Sequence, residues 1–177
     1  MSKVATMNAY GVLAEPGTLK FQRLIPGPTE RVWKYLVESD LRCQWLAAGK
    51  MELKVGAPVE FIWRNDELNN PPRQRPAGFP EEQRMQGRIT ALDAPRNLAI
   101  AWDGFGEVSY GLESKGEDVL LTMIQRGLPN RDVVVMFGAG SHVHLDILAA
   151  CLSGDKLPLF WDSWVRLQKE YDAKIAS

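Results

Sequence analysis

The segment HVHLD, residues 142–146, holds both histidines of the chain. Two imidazoles beside a carboxylate could ligate a metal or relay a proton. Helical geometry tests both ideas. At about 100° per residue His142 and His144 project about 200° apart, so they cannot share one metal ion. His142 and Asp146 are four residues apart and can pair, but both fall off the apolar stripe of this helix. That predicts a solvent-facing pair of small energetic weight, and no metal site. His144 differs, because it lies near the middle of a stripe formed with Phe137, Ser141, Leu145, Leu148, Cys151 and Leu152. A buried imidazole without a partner loses about 1–3 kcal/mol. One reading is a core histidine bonded to Ser141 or to a strand group such as Gln125. The other is a polar anchor or acid–base group inside an apolar cavity, which makes His144 the candidate catalytic residue. Ser141 could touch His144, yet no third orienting group or oxyanion hole can be read from the sequence.

Aromatic residues carry the other chemical signal. Six tryptophans occur in 177 residues: Trp33, Trp45, Trp63, Trp102, Trp161 and Trp164. They can fill a core, or some of them can line a pocket for a flat or greasy ligand. By strand alternation Trp63 shares a face with Val59 and Phe61, and Trp102 shares one with Leu98 and Ile100. These two, with Trp45, are the tryptophans expected at a pocket. The glycines of GFGEV at 104–108 mark a turn into a strand, without the following helix a phosphate site needs. Cys43 and Cys151 are far apart and outside any CxxC spacing, so two reduced, mostly buried thiols are expected rather than a disulfide or zinc site.

These residues must be held by strands and helices. Thr18 to Leu24 alternates as a strand. Pro26 and Pro28 break it, and Thr29 is placed to cap a helix whose apolar face is Val32, Trp33, Leu36 and Val37. A second short helix starts at Ser39 or Asp40, carries Leu41, Trp45 and Leu46, and ends at Gly49. Met51–Val55 and Val59–Trp63 read as strands, followed by a polar, proline-rich excursion over 64–83, either a plain insertion or a lid. Four further strands are expected: Met85–Leu92, Leu98–Trp102, Glu107–Leu112 and Val119–Gln125. Their short connections favour antiparallel pairing. The tail is helical, with a second stripe of Phe160, Trp164, Leu167, Tyr171 and Ile175, and a break at Gly154 and Pro158.

Composition bounds the rest. Apolar residues make up 45% and charged residues 24%, a globular profile, and the length suits one domain spanning 1–177. With 21 basic and 22 acidic residues there is no basic surplus for nucleic acid. The N-terminus MSKVATMNAYG lacks the pattern of a signal peptide, and no run approaches about 18 consecutive apolar residues, so a cytoplasmic protein without a membrane span is expected.

Five stretches in order carry a resemblance: PGPTERVWKYLVESDLRCQWLAAG, GRITALDAPRNLAIAW, VLLTMIQRGLP, GSHVHLDILAACLSG and FWDSWVRLQKEYD. They cover nearly the whole chain, and with them it resembles the SRPBCC superfamily (Bet v 1-like or START-like), in the branch named after the activator of Hsp90 ATPase. The resemblance implies an α+β helix-grip fold: about seven antiparallel strands wrapped around a long C-terminal helix, with two short helices after the first strand and an apolar cavity between sheet and helix. Members of the superfamily bind lipids, sterols, polyketides or plant hormones, and some catalyse cyclisation or ring hydroxylation. The branch name does not imply Hsp90 binding, and the separate N-terminal region of the true co-chaperone is expected to be absent. Two positions depart from the pattern. Ser141 stands where a tryptophan often follows the glycine, and Gln125 stands where the strand often ends in histidine. Pocket size and polarity should therefore differ from those of relatives.

On this fold the expected ligand-binding residues are Trp45, Phe61, Trp63, Met85, Trp102, Tyr110, Met123, Gln125, Phe137, Ser141, His144, Leu145 and Leu148. The expected partner is a small hydrophobic or aromatic molecule, with no cofactor. The alternatives are an enzyme on such a substrate, using His144 with Tyr110 or Gln125, and a protein-interaction or co-chaperone-like module. Free sheet edges make a homodimer possible.

Overall fold

Alternation drives the sheet. In Asp118–Arg126 the residues Val119, Leu121, Met123 and Gln125 are buried while those between them are half-exposed, the pattern of a strand with one face on a core. A computed structural model describes residues 8–68 and 75–175. The strands are β1 (Val12–Glu15), β2 (Thr18–Pro26), β3 (Pro58–Trp63), β4 (Gln83–Asp93), β5 (Asn97–Trp102), β6 (Gly106–Lys115) and β7 (Asp118–Arg126). They form one antiparallel sheet in the order β1-β2-β7-β6-β5-β4-β3. Helices α1 (Thr29–Val37) and α2 (Ser39–Arg42) connect β2 to the far edge, and α3 (Arg131–Ser153) packs across the inner face of the sheet. This is the helix-grip α+β architecture.

Several local expectations are corrected. The strand expected at Met51–Val55 does not form. Only Met51 bridges to Val59, while β3 takes β4 as its partner along its full length. Instead Val12–Glu15 supplies the seventh strand, an exposed edge. Thr29 is not the cap of α1 but its first residue, because the Pro28 carbonyl already accepts from the Arg31 and Val32 amides. Helix α2 ends at Arg42, about two turns short of Gly49, and the expected inner and outer faces are exchanged. Arg42 is fully buried, Leu41 is half-buried, and Cys43, expected inside, is exposed. Gly49 still has a role. At φ 126° its backbone passes so close to the Glu60 carbonyl that a Cβ would collide with it. The N-terminal residues 1–7, and residues 69–74 of the expected excursion, lie outside the described residues.

The helical tail divides at the expected break into two helices. Asn130 caps α3 by accepting from the Val133 amide at 3.0 Å, and Gly154, left-handed at φ 78°, ends it. Helix α4 (Phe160–Lys174) then runs back antiparallel. Its start packs Phe160 on His144, and near its end Asp172 pairs with Arg131 at 2.8 Å. Gly138 lets the Tyr171 ring lie directly on α3. With sheet on one side and α4 on the other, α3 is buried around most of its circumference. By length and composition it would suit a membrane span, but two-thirds of that window (67%) is buried inside the protein, as in a core helix.

The covering by α4 also overturns the expectation for His142. It does pair with Asp146, but it is buried rather than solvent-facing. The Gly11 amide donates to the Tyr171 hydroxyl oxygen at 2.7 Å, so the Tyr171 O–H is directed to His142 Nδ1 at 3.0 Å. Nε2–H then faces Asp146 at 3.3 Å, and Arg23 holds the other carboxylate oxygen at 3.1 Å. Burial opposes ionisation of Asp146, but the His142 hydrogen bond and the Arg23 charge outweigh it and hold the carboxyl below its ordinary value. A depressed carboxylate stabilises the fold above its unfolded value and ceases to do so as pH falls through the folded one. Asp146→Asn should therefore cost about 1 kcal/mol at pH 7, the side chain being partly solvated. In urea titrations the difference from the parent should close below about pH 3.8; a difference unchanged down to pH 2.5 would contradict this.

Candidate functional site

The inner face of the far half of the sheet does not meet α3 everywhere, and the gap is a cavity of about 170 Å³. Its sheet wall is Phe61, Trp63, Met85, Trp102, Val108, Tyr110, Met123 and Gln125. Phe61 packs against Trp102 at 4.8 Å and Trp63 at 5.3 Å, both edge-on, which fixes the rings without filling the space between sheet and helix. Helix α3 adds Met136, Phe137, Ser141, His144 and Leu145, and α4 adds Phe160, Trp161 and Trp164 as a roof.

The excursion after β3 is anchored to that roof. A 3-10 turn at Asn65–Leu68 buries Leu68. Asp66 accepts from Trp161 Nε1 at 2.8 Å and pairs with Arg75 at 2.5 Å, and Arg75 in turn holds the Phe79 carbonyl. Phe79 then packs on Trp164 at 4.8 Å and Trp161 at 5.4 Å. Asn65, Phe79 and Gln83 of this segment thereby join the cavity wall, while Arg64, Glu67, Ala77, Gly78, Pro80 and Glu81 stay exposed.

Polar groups in the wall are few and their states are determined. His144 Nδ1 lies 2.7 Å from the Trp45 carbonyl. A carbonyl only accepts, so Nδ1 carries the proton. Burial pulls the His144 pKa down to about 4 against the smaller opposing effect of that hydrogen bond. At neutral pH the ring is uncharged, and Nε2 presents a lone pair without a partner among the described residues. Asn65 Oδ1 is likewise buried and unbonded. Burial raises the Tyr110 phenol well above its ordinary value, Arg42 opposing only in part, so Tyr110 remains a neutral O–H. Gln125 is already engaged, donating to the Phe105 carbonyl at 3.0 Å.

Behind the wall a buried cation holds the frame. Arg42 donates to the carbonyls of Ala47, Leu36, Val37 and Gly49 and lies 4.5 Å over the Phe61 ring. Desolvation pulls its pKa down to about 10, so it stays charged at neutral pH. Trp45, just beyond it, donates from Nε1 to the Tyr35 carbonyl at 2.8 Å. The loop that positions the His144 acceptor is thereby fixed from both sides.

Twelve of the thirteen expected pocket residues line this cavity: Trp45, Phe61, Trp63, Met85, Trp102, Tyr110, Met123, Gln125, Phe137, Ser141, His144 and Leu145. Leu148 does not; it is one turn further along α3, in the solid core. Neither Ser141 nor Gln125 bonds to His144, whose partner is the Trp45 carbonyl. Asn65, Phe79, Phe105 and the α4 aromatics were not expected. Phe79, a lone aromatic in a polar, proline-rich stretch, was the available signal. Among the described residues no group of three or more His, Cys, Asp or Glu side chains could hold a metal ion.

Residues 26–153 match the family described as Activator of Hsp90 ATPase homolog 1-like protein. No curated protein matches the chain. Among solved structures, a protein from Bordetella parapertussis shares 29% identity with a TM-score of 0.77, over 98% of this chain and 90% of that one. CalU16 from Micromonospora echinospora shares 20% identity with a TM-score of 0.66, over 90% and 89%. The Aha1 dimer from Colwellia psychrerythraea shares 15% identity with a TM-score of 0.58, over 76% and 95%.

Proposed function

The chain belongs to the Activator of Hsp90 ATPase homolog 1-like family, and from that membership and the cavity we propose that it binds a small hydrophobic or aromatic molecule between the sheet and α3. The observation that carries this reading is the cavity itself: aromatic and apolar walls with few polar side chains among them, one of which, Asn65, keeps a buried oxygen unbonded. Pockets of that composition hold ligands by burial and orient them by isolated hydrogen bonds. A volume near 170 Å³ favours one or two rings over a sterol, since an engineered cavity of about 150 Å³ takes benzene.

Catalysis by His144 as a general base is the second reading, favoured by its free Nε2. Magnitude argues against it. A base with a pKa of about 4 is far from the neutral value that proton abstraction favours, so the ring serves better as an acceptor that orients a ligand.

A thermal-shift screen over mono- and bicyclic aromatics, fatty acids and sterols tests the binding reading. A ligand at about 100 times its Kd should add roughly 2.7 kcal/mol, a rise of several degrees for a chain this long. Ser141→Trp, which places an indole in the cavity, should abolish the shift while the protein stays folded. Absence of any shift across all three classes would defeat the proposal.

A further inference from the structure

We propose that the cavity selects un-ionised ligands that carry an O–H or N–H donor, such as phenols and aryl N–H heterocycles, and rejects carboxylates of the same shape. This rests on the binding reading above and narrows it to one ligand class. Two observations carry it. First, the unsatisfied groups include two acceptors. His144 is 7% exposed and its Nδ1 is committed to Trp45, which leaves Nε2 bare; Asn65 Oδ1 is buried without a partner. A buried acceptor left unpaired costs about 1–3 kcal/mol, so a ligand that donates to it recovers what an apolar ligand cannot. Secondly, no lysine, arginine, aspartate or glutamate is among the described lining residues. The nearest buried cation, Arg42, directs its N–H groups at four backbone carbonyls and is itself stacked on Phe61. An anion entering the cavity would lose its water, find no countercharge, and face the His144 lone pair.

Tyr110 adds a donor to the lining. Its hydroxyl has no hydrogen-bond partner among the described residues, and burial keeps it protonated. A ligand hydroxyl is both donor and acceptor, so it satisfies a lining acceptor such as His144 or a lining donor such as Tyr110. An ether oxygen only accepts, and a bare ring does neither.

The test is isothermal titration of the unmodified protein at pH 7 with four bicyclic probes of one shape: 2-naphthol, 2-methoxynaphthalene, naphthalene and 2-naphthoate. The expected order is 2-naphthol at least tenfold tighter than 2-methoxynaphthalene and naphthalene, with 2-naphthoate weakest. Equal binding of the three neutral probes would overturn donor selection while leaving the binding reading intact. Tightest binding of 2-naphthoate would overturn it by revealing a usable cation. Binding of none of the four would remove both. His144→Phe should bring 2-naphthol down to the affinity of naphthalene; if that variant does not fold, the probe series on the parent protein decides alone.

Discussion

Replacing Arg42 with methionine should destabilise the protein by about 3 kcal/mol or more, the largest stability effect expected of any single charge change among the described residues. The side chain is fully buried and supplies the hydrogen bonds of four carbonyls, two at the end of α1 and two in the loop after α2. At about 1 kcal/mol or more per orphaned acceptor the loss exceeds 4 kcal/mol. Removing a desolvated cation returns part of that, and methionine recovers some packing against Phe61. Arg42→Lys keeps the charge but not the planar fork, and should fall between the two. Urea unfolding of the three proteins settles the matter. A methionine variant within 1 kcal/mol of the parent would mean that the loop reorganises to pair its own carbonyls, and that Arg42 is not what holds Trp45 in place.

Acid should weaken the fold through His144 well before carboxylates protonate. Its ring is held neutral inside, with the pKa pulled from 6.5 to about 4. Below pH 6.5 the unfolded chain takes up a proton that the folded protein does not. Stability is therefore full above about 6.5, declines with falling pH, and stops declining from this cause below about 4. The span amounts to about 3 kcal/mol at 1.36 kcal/mol per pH unit. His144→Gln, which can still donate to the Trp45 carbonyl, should flatten the stability profile between pH 6.5 and 4. It should leave untouched the later loss that belongs to Asp146. A variant with the parent's slope in that window would place the proton uptake elsewhere.

The sheet was legible because burial on one face leaves a period of two. Val59, Phe61 and Trp63, or Leu98, Ile100 and Trp102, announce which side they share, and that sufficed to gather most of the cavity wall. Met51 and Val55 show the same period without forming a strand, since alternation cannot say whether a partner is free. His142 was misplaced for a related reason. A helical projection that ranks only apolar residues finds one buried stripe, whereas α3 has two partners and hides its polar side in the Tyr171–His142–Asp146–Arg23 network. Arg42 left no mark at all. A cation in an amphipathic stretch ordinarily reaches solvent, and only the early end of α2 turns this one inward. Asn65 and Phe79 reach the cavity through Asp66, whose bonds to Trp161 and Arg75 span distances in sequence that no local pattern encodes.

The family match stops at residue 153, and α4 begins at Phe160. The sheet and α3 walls of the cavity lie within that match, while Phe160, Trp161 and Trp164 sit on a helix that reaches the rest mainly through α3 and the turn at Asn65–Leu68. Such a layout is modular. Exchanging the last two dozen residues for those of a relative would re-tailor the ceiling of the cavity and leave the strands that make the fold untouched.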